Sequence, residues 1–151
     1  MHDSGFETDP TVLVQSALLM SFWHPTKGRL SGAWHWTGVA ISLSHDLGLH
    51  LGGERVPTRQ RPLLRRIWWC CLLRDHWLSF CLKLPMRMTL RDCEVDMASI
   101  NDLWNEIRHI SVETKAQSIK IDCYQLLSCW LILLKITTAM ASTFARYSRV
   151  G

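Results

Sequence analysis

Proline is scarce in this 151-residue sequence, with five residues, and there is no low-complexity tract or internal repeat. A chain so built is not a disordered linker. No segment alternates apolar and polar residues in the manner of a half-buried strand, and no hairpin turn signal appears, which removes the all-β classes. There is no nucleophile elbow, no glycine-rich phosphate loop and no paired-acid arrangement, so the common hydrolase and nucleotide-binding signatures are missing. The six cysteines include no Cys-x-x-Cys pair. The first ten residues are polar and acidic and lack the apolar core of a secretory signal. The longest apolar run, Leu126 to Leu134, stops at Lys135. That is well short of the roughly 20 residues a membrane helix needs, and the expectation is no membrane span.

What is present is a core. Hydrophobic residues make up 48% of the chain and charged residues 20%, with eight tryptophans, enough for one dense helical domain. The net charge of +4 is too modest to imply nucleic acid or any other acidic partner by itself. Cys70, Cys71, Cys81, Cys123 and Cys129 sit inside apolar helical patterns, as buried free thiols do, which fits a reducing, intracellular setting.

Along the chain, Asp9 before Pro10 starts a helix, with a side-chain acceptor at the N-cap and a residue suited to the first turn. Leu13, Ala17 and Met20 continue it, and Pro25 ends it near Trp23. In the next segment Ala33, Trp36, Ala40, Leu43, Leu47 and Leu51 share a stripe, and Gly48 is placed to stop the helix at about Leu47, with Leu49 folding back on Leu43. A Gly-, Pro- and charge-rich connector follows from His50 to Arg61. Residues 83–97 read as an irregular connector packed by Met86, Met88 and Val95, and a helix from Ser99 to His109 follows. A last long helix carries Ala116, Ile119, Cys123, Leu126, Trp130, Leu133, Thr137, Met140 and Phe144 on a seam that alternates three and four apart.

Between these lies the stretch that organises the rest, RRIWWCCLLRDHWL from Arg65 to Leu78, within a helix of about residues 62–82. At about 100° per residue, Leu64, Trp68, Cys71, Leu78 and Leu82 form one stripe, and Trp69, Leu73, Trp77 and Phe80 a second. A helix apolar on two sides is central and buried. The fold class is therefore all-α, an irregular multi-helix bundle around this tryptophan-rich helix. Asp75 falls in the middle of the first stripe, where a bare carboxylate costs several kcal/mol unless donors or a cation replace its water. It reads, with Trp68 and Trp69, as a structural anchor whose partner is unknown; the alternative is a helix rolled so that Asp75 meets solvent.

The order AWHWTGVAISLSHDLGLHL, then a loop, then LLRRIWWCCLLRDHWLSF, then PMRMTLRDCEV resembles the middle regulatory domain of fungal transcription factors that carry a binuclear zinc cluster. The matching positions are Asp46 to His50, Arg65 and Arg66, Trp68 and Trp69, and Asp75. The resemblance covers about residues 9–95, with helices at about 99–148 as a continuation. It implies a single regulatory domain over residues 1–151, a piece of a longer factor, working in the nucleus with the rest of that factor or a co-regulator as partner. Zinc in the family belongs to an N-terminal cluster that these residues do not contain, so no cofactor or metal site is expected here and DNA would be reached only indirectly. Where the family usually has Gly-Arg-Pro after the central helix, this chain has Lys83, Leu84 and Pro85, and Arg87 could substitute for that arginine.

Three candidate sites follow. Arg55, Arg59, Arg61, Arg65 and Arg66 crowd the start of the central helix, where the dipole disfavours cations; they offer a contact for an acidic partner or phosphate, or form only a solvated loop. Trp34, Trp36 and Trp77 could line an apolar ligand pocket, or be plain core. His45 and His50 would point about 140° apart on a continuous helix, so shared metal coordination would need a special bend. The expected function is regulation or scaffolding in transcription; the runner-up is a small-molecule-sensing domain with an unidentified effector, and the remote third is an enzyme using Asp92 or Glu94.

Overall fold

The structure is a computed structural model and describes residues 9–23, 31–52, 58–101 and 114–147. It is all-α, with no strand among the described residues. Helix α1 spans Pro10–Met20, α2 Ser31–Asp46, α3 Arg61–Leu82 and α4 Thr114–Tyr147, with single 3-10 turns at Leu49–Leu51 and Leu90–Asp92. Residues 100 and 101 are helical; the rest of the helix expected to His109, and the side chains of Ala116, Ile119 and Phe144, lie outside the described residues. The chain divides into two compact units, Met1–Val95 and Asp96–Gly151.

In the first unit α1 packs on α2, and α3 packs on both. Several helix ends have a visible physical cause. The Asp9 carboxylate accepts the Thr11 amide at 2.8 Å, and Pro10 occupies the first turn. At the other end of α1, Arg74 of α3 donates to the Ser21 carbonyl at 2.6 Å and to its hydroxyl at 3.1 Å, and lies 3.9 Å over the Phe22 ring. A guanidinium on the last carbonyls of a helix satisfies orphan acceptors and complements the dipole. Helix α2 ends where Gly48 takes φ +68°, a left-handed conformation that glycine adopts without steric cost. Helix α3 ends on Lys83 at φ +54°, so a lysine holds a left-handed position of the kind glycine normally fills.

The expected stripes needed correction in three places. On α2 the buried line runs Ala33, Thr37, Ala40 and Ser44, while Trp36 and Leu43 are half-buried. The hydroxyls tolerate burial because Thr37 donates to the Ala33 carbonyl at 2.8 Å and Ser44 to that of Ala40 at 2.7 Å. These small residues let the packed helices approach closely. On α3 the burial is one broad arc that takes in Trp68, Trp69, Leu72, Asp75 and His76, and not two faces: Trp77 is 47% exposed. On α4 the buried line is Leu127, Leu134, Thr137 and Ala141, whereas Leu126, Leu133 and Met140 of the expected seam are exposed. Helix α4 is apolar on both flanks, and the three-four pattern fits either one.

The interval Ile121–Thr143, 23 residues, is long and apolar enough to cross a membrane by length and composition. The apolar run stops at Lys135 but the helix continues past it, and a span across that lysine would place an ammonium near the bilayer centre. Thr137 and Thr138 beyond it return their hydroxyls to backbone carbonyls at 2.8 and 2.9 Å.

Candidate functional site

The chemistry of the first unit gathers on one side of α3. Asp75 is fully buried, and its Oδ2 accepts the backbone N–H groups of Arg87 at 2.8 Å and Met88 at 3.0 Å. Its neighbour His76 donates from Nε2 to the Met88 carbonyl at 2.9 Å; a carbonyl can only accept, so this nitrogen carries the proton. Two adjacent side chains of α3 therefore hold both backbone groups of Met88, itself buried. Asp75 Oδ1 and His76 Nδ1 are buried without a hydrogen-bond partner among the described residues. Burial pushes the Asp75 carboxyl above its ordinary value, opposed by the two backbone donors and by the nearby His76 and Arg87. The partner of Asp75 is thus local backbone and not a side-chain cation.

With its amide fixed on Asp75, Arg87 lays its guanidinium 3.5 Å over the Trp34 ring and donates from Nη1 to the Trp34 carbonyl at 2.8 Å. Gly38 makes this possible: a Cβ there would meet Nη1 at 3.0 Å and Cζ at 3.3 Å. Alongside runs an open cleft of about 580 Å³ lined by Trp34, His35, Gly38, Val39, Ile41, Ser42, Leu43 and Arg87. Of the three tryptophans expected to share a pocket, only Trp34 lines this cleft. Trp36 is half-buried and packs edge-on to His35 with centroids 5.4 Å apart, and Trp77 faces outward. Arg87 supplied the missing wall, and the only signal of it in the sequence is its place after the central helix.

A second cluster lies at the α2 terminus. His45 and His50 have ring centroids 5.1 Å apart, and both pack on Trp68, at 5.4 and 6.1 Å. Gly48 provides the bend that a straight helix denies them. His45 Nδ1 meets the Ile41 carbonyl at 3.0 Å, while His50 Nδ1 and Trp68 Nε1 are buried without partners among the described residues. Two imidazoles do not make a metal centre on their own, and no group of three ligating side chains is placed for one among the described residues. The Cys71 thiol, 3.4 Å from Ser44 Oγ, is pushed up to about 12 by burial, which outweighs that contact, and is inert as a nucleophile.

Of the basic run, Arg59 is exposed, Arg61, Arg65 and Arg66 are half-buried, and Arg55 lies outside the described residues. Glu94 reaches a histidine through backbone alone, donating its amide to the His50 carbonyl at 2.9 Å; the Asp92 side chain lies outside the described residues.

The family profile described as "Fungal specific transcription factor domain" matches residues 2–148. The chain belongs to the fungal-specific transcription factor domain family. The match extends past the motif-bearing stretch 9–95 and takes in α4. Among similar proteins, cutinase transcription factor 1 beta of Fusarium vanettenii is 38% identical over 109 residues, 71% of this chain and 12% of that protein. Transcription factor cpaR of Aspergillus oryzae is 31% identical over 106 residues, 68% of this chain and 17% of that protein. An acetamidase regulatory protein of Aspergillus fumigatus is 30% identical over 107 residues, 68% of this chain and 14% of that protein. Matched segments of this fungal transcription factor domain thus span less than a fifth of the length of these relatives. No solved structure matches the chain. The family and the relatives' names support a role in transcription regulation and point away from catalysis.

Proposed function

We propose that these residues form a regulatory and interaction domain of a fungal transcription factor, a domain that modulates transcription in the nucleus through protein partners and does not itself read DNA. The observation that carries this reading is the family match over nearly the whole chain. The absence of any Cys-x-x-Cys pair supports the second half of it, since a binuclear zinc cluster needs thiolates converging on two ions. The contact is through protein and not lipid: Lys135 lies near the middle of the apolar part of α4, where an ammonium at bilayer centre costs about 3 kcal/mol. The partner contact also draws on the arginines around Arg59, at the entry to α3. Fusing the full chain to an unrelated DNA-binding domain should change the output of a reporter bearing that domain's site. Reporter output equal to the DNA-binding domain alone, with the fusion present in the nucleus, rejects the reading.

A second reading, small-molecule sensing, is favoured by one observation, the cleft beside Trp34 with a fixed cation in its wall.

A further inference from the structure

We infer that the cleft beside Trp34 binds a small monocarboxylate with an apolar stem, the Arg87 guanidinium taking the carboxylate while Val39 and Leu43 take the stem. This gives a ligand class to the sensing reading and rests on it, not on the regulatory one. The cleft, about 580 Å³, lies within the roughly 300–1,000 Å³ of small-molecule sites. Its walls are mainly apolar, and among the described residues no carboxylate lines it. Asp75 accepts from the backbone N–H of Arg87, and among the described residues no carboxylate is bonded to the guanidinium.

The cation is held before any ligand arrives. Its amide is pinned by Asp75 at 2.8 Å, its plane by the Trp34 ring at 3.5 Å and one Nη by the Trp34 carbonyl at 2.8 Å. A fork fixed in this way loses little freedom on binding, which favours a planar, bidentate acceptor. Among the described residues its one hydrogen bond is the Trp34 carbonyl, which leaves further N–H groups for a ligand. The single arginine among the described lining residues matches one negative charge, so the geometry favours a monocarboxylate over a multiply charged phosphate. Gly38 is bare where the guanidinium lies, so the same position that seats Arg87 also sets the floor of the cleft.

The test is calorimetric titration of the purified full chain with decanoate, decanol and decylamine. Decanoate should saturate at one per chain and bind about tenfold or more tighter than decanol, with decylamine weakest. Arg87→Gln should bring decanoate down to the level of decanol and leave decanol unchanged, whereas Leu43→Ala should weaken both. Equal binding of decanoate and decanol, no binding of either, or a decanoate affinity indifferent to Arg87→Gln overturns the inference. If Arg87→Gln does not fold by circular dichroism, the wild-type preference and the Arg87→Lys variant decide: a preference kept in full by lysine contradicts the fork geometry. A chain that binds decanoate but leaves the reporter unchanged rejects the regulatory reading alone; a chain that moves the reporter but ignores decanoate rejects this one alone.

Discussion

Helices α3 and α4 are both long and rich in apolar residues, yet they use that surface in opposite ways. Helix α3 buries a broad arc and places three polar side chains inside it, Asp75, His76 and Ser79. Two of them hold the following connector, and the third returns its hydroxyl to the Asp75 carbonyl at 2.7 Å. Among its described side chains, helix α4 buries one narrow line and leaves Leu126 71% exposed and Ile132 58% exposed. A buried polar group that must find its partner fixes the rotation of a helix uniquely, because a roll leaves it unsatisfied. An apolar seam repeated on two flanks does not. The register of α3 is set by its acid, and that of α4 by whatever apolar surface it meets.

The comparison breaks most sharply at Asp75. Replacing it by alanine strands the amides of Arg87 and Met88, and should lower the unfolding free energy by on the order of 3 kcal/mol in urea titration; a loss below about 1 kcal/mol would show that rotation is set elsewhere. Asp75→Asn keeps an acceptor and should cost much less. It also carries a pH signature. Burial raises the Asp75 carboxyl, so the folded chain holds that proton more tightly than the unfolded chain does. The associated stability is present below the ordinary carboxylate value and is lost as pH rises through the raised one. Urea midpoints of the wild type should fall over that interval, and Asp75→Asn should flatten this part of the slope.

On α4 the contrast lies between neighbours. Leu134 is fully buried and Leu133 is 40% exposed. Leu134→Asp should cost about 3 kcal/mol or more and remove helical signal in circular dichroism, while Leu133→Asp should stay within about 1 kcal/mol. Equal effects would mean that both flanks are covered. The smallest expected change is a gain. Lys83 holds a left-handed position at φ +54°, so Lys83→Gly should raise the thermal midpoint by an amount equivalent to about 1 kcal/mol.

Much of the fold was legible because helix ends are written locally. Asp9, Pro10 and Gly48 act within a turn of where they stand, and the bounds of α3 could be read to about a residue. The all-α class followed from periodicity alone. Stripes were less legible wherever a residue's apparent polarity misleads: Thr37 and Ser44 are buried because the preceding turn takes their hydroxyls, and Trp77 is exposed despite its size. The cleft was hardest to foresee. Arg87 and Trp34 are far apart in sequence, and they meet only because Asp75 fixes a backbone stretch and Gly38 leaves room; no one of the four announces the others.

Met88 belongs to a stretch with no regular structure, but neither its amide nor its carbonyl is available to solvent or to a protease until Asp75 and His76 release them. That segment therefore opens together with the middle of α3 and not before it. In hydrogen–deuterium exchange its protection should track that of the helix, and limited digestion should spare the chain around Met88 for as long as α3 is intact.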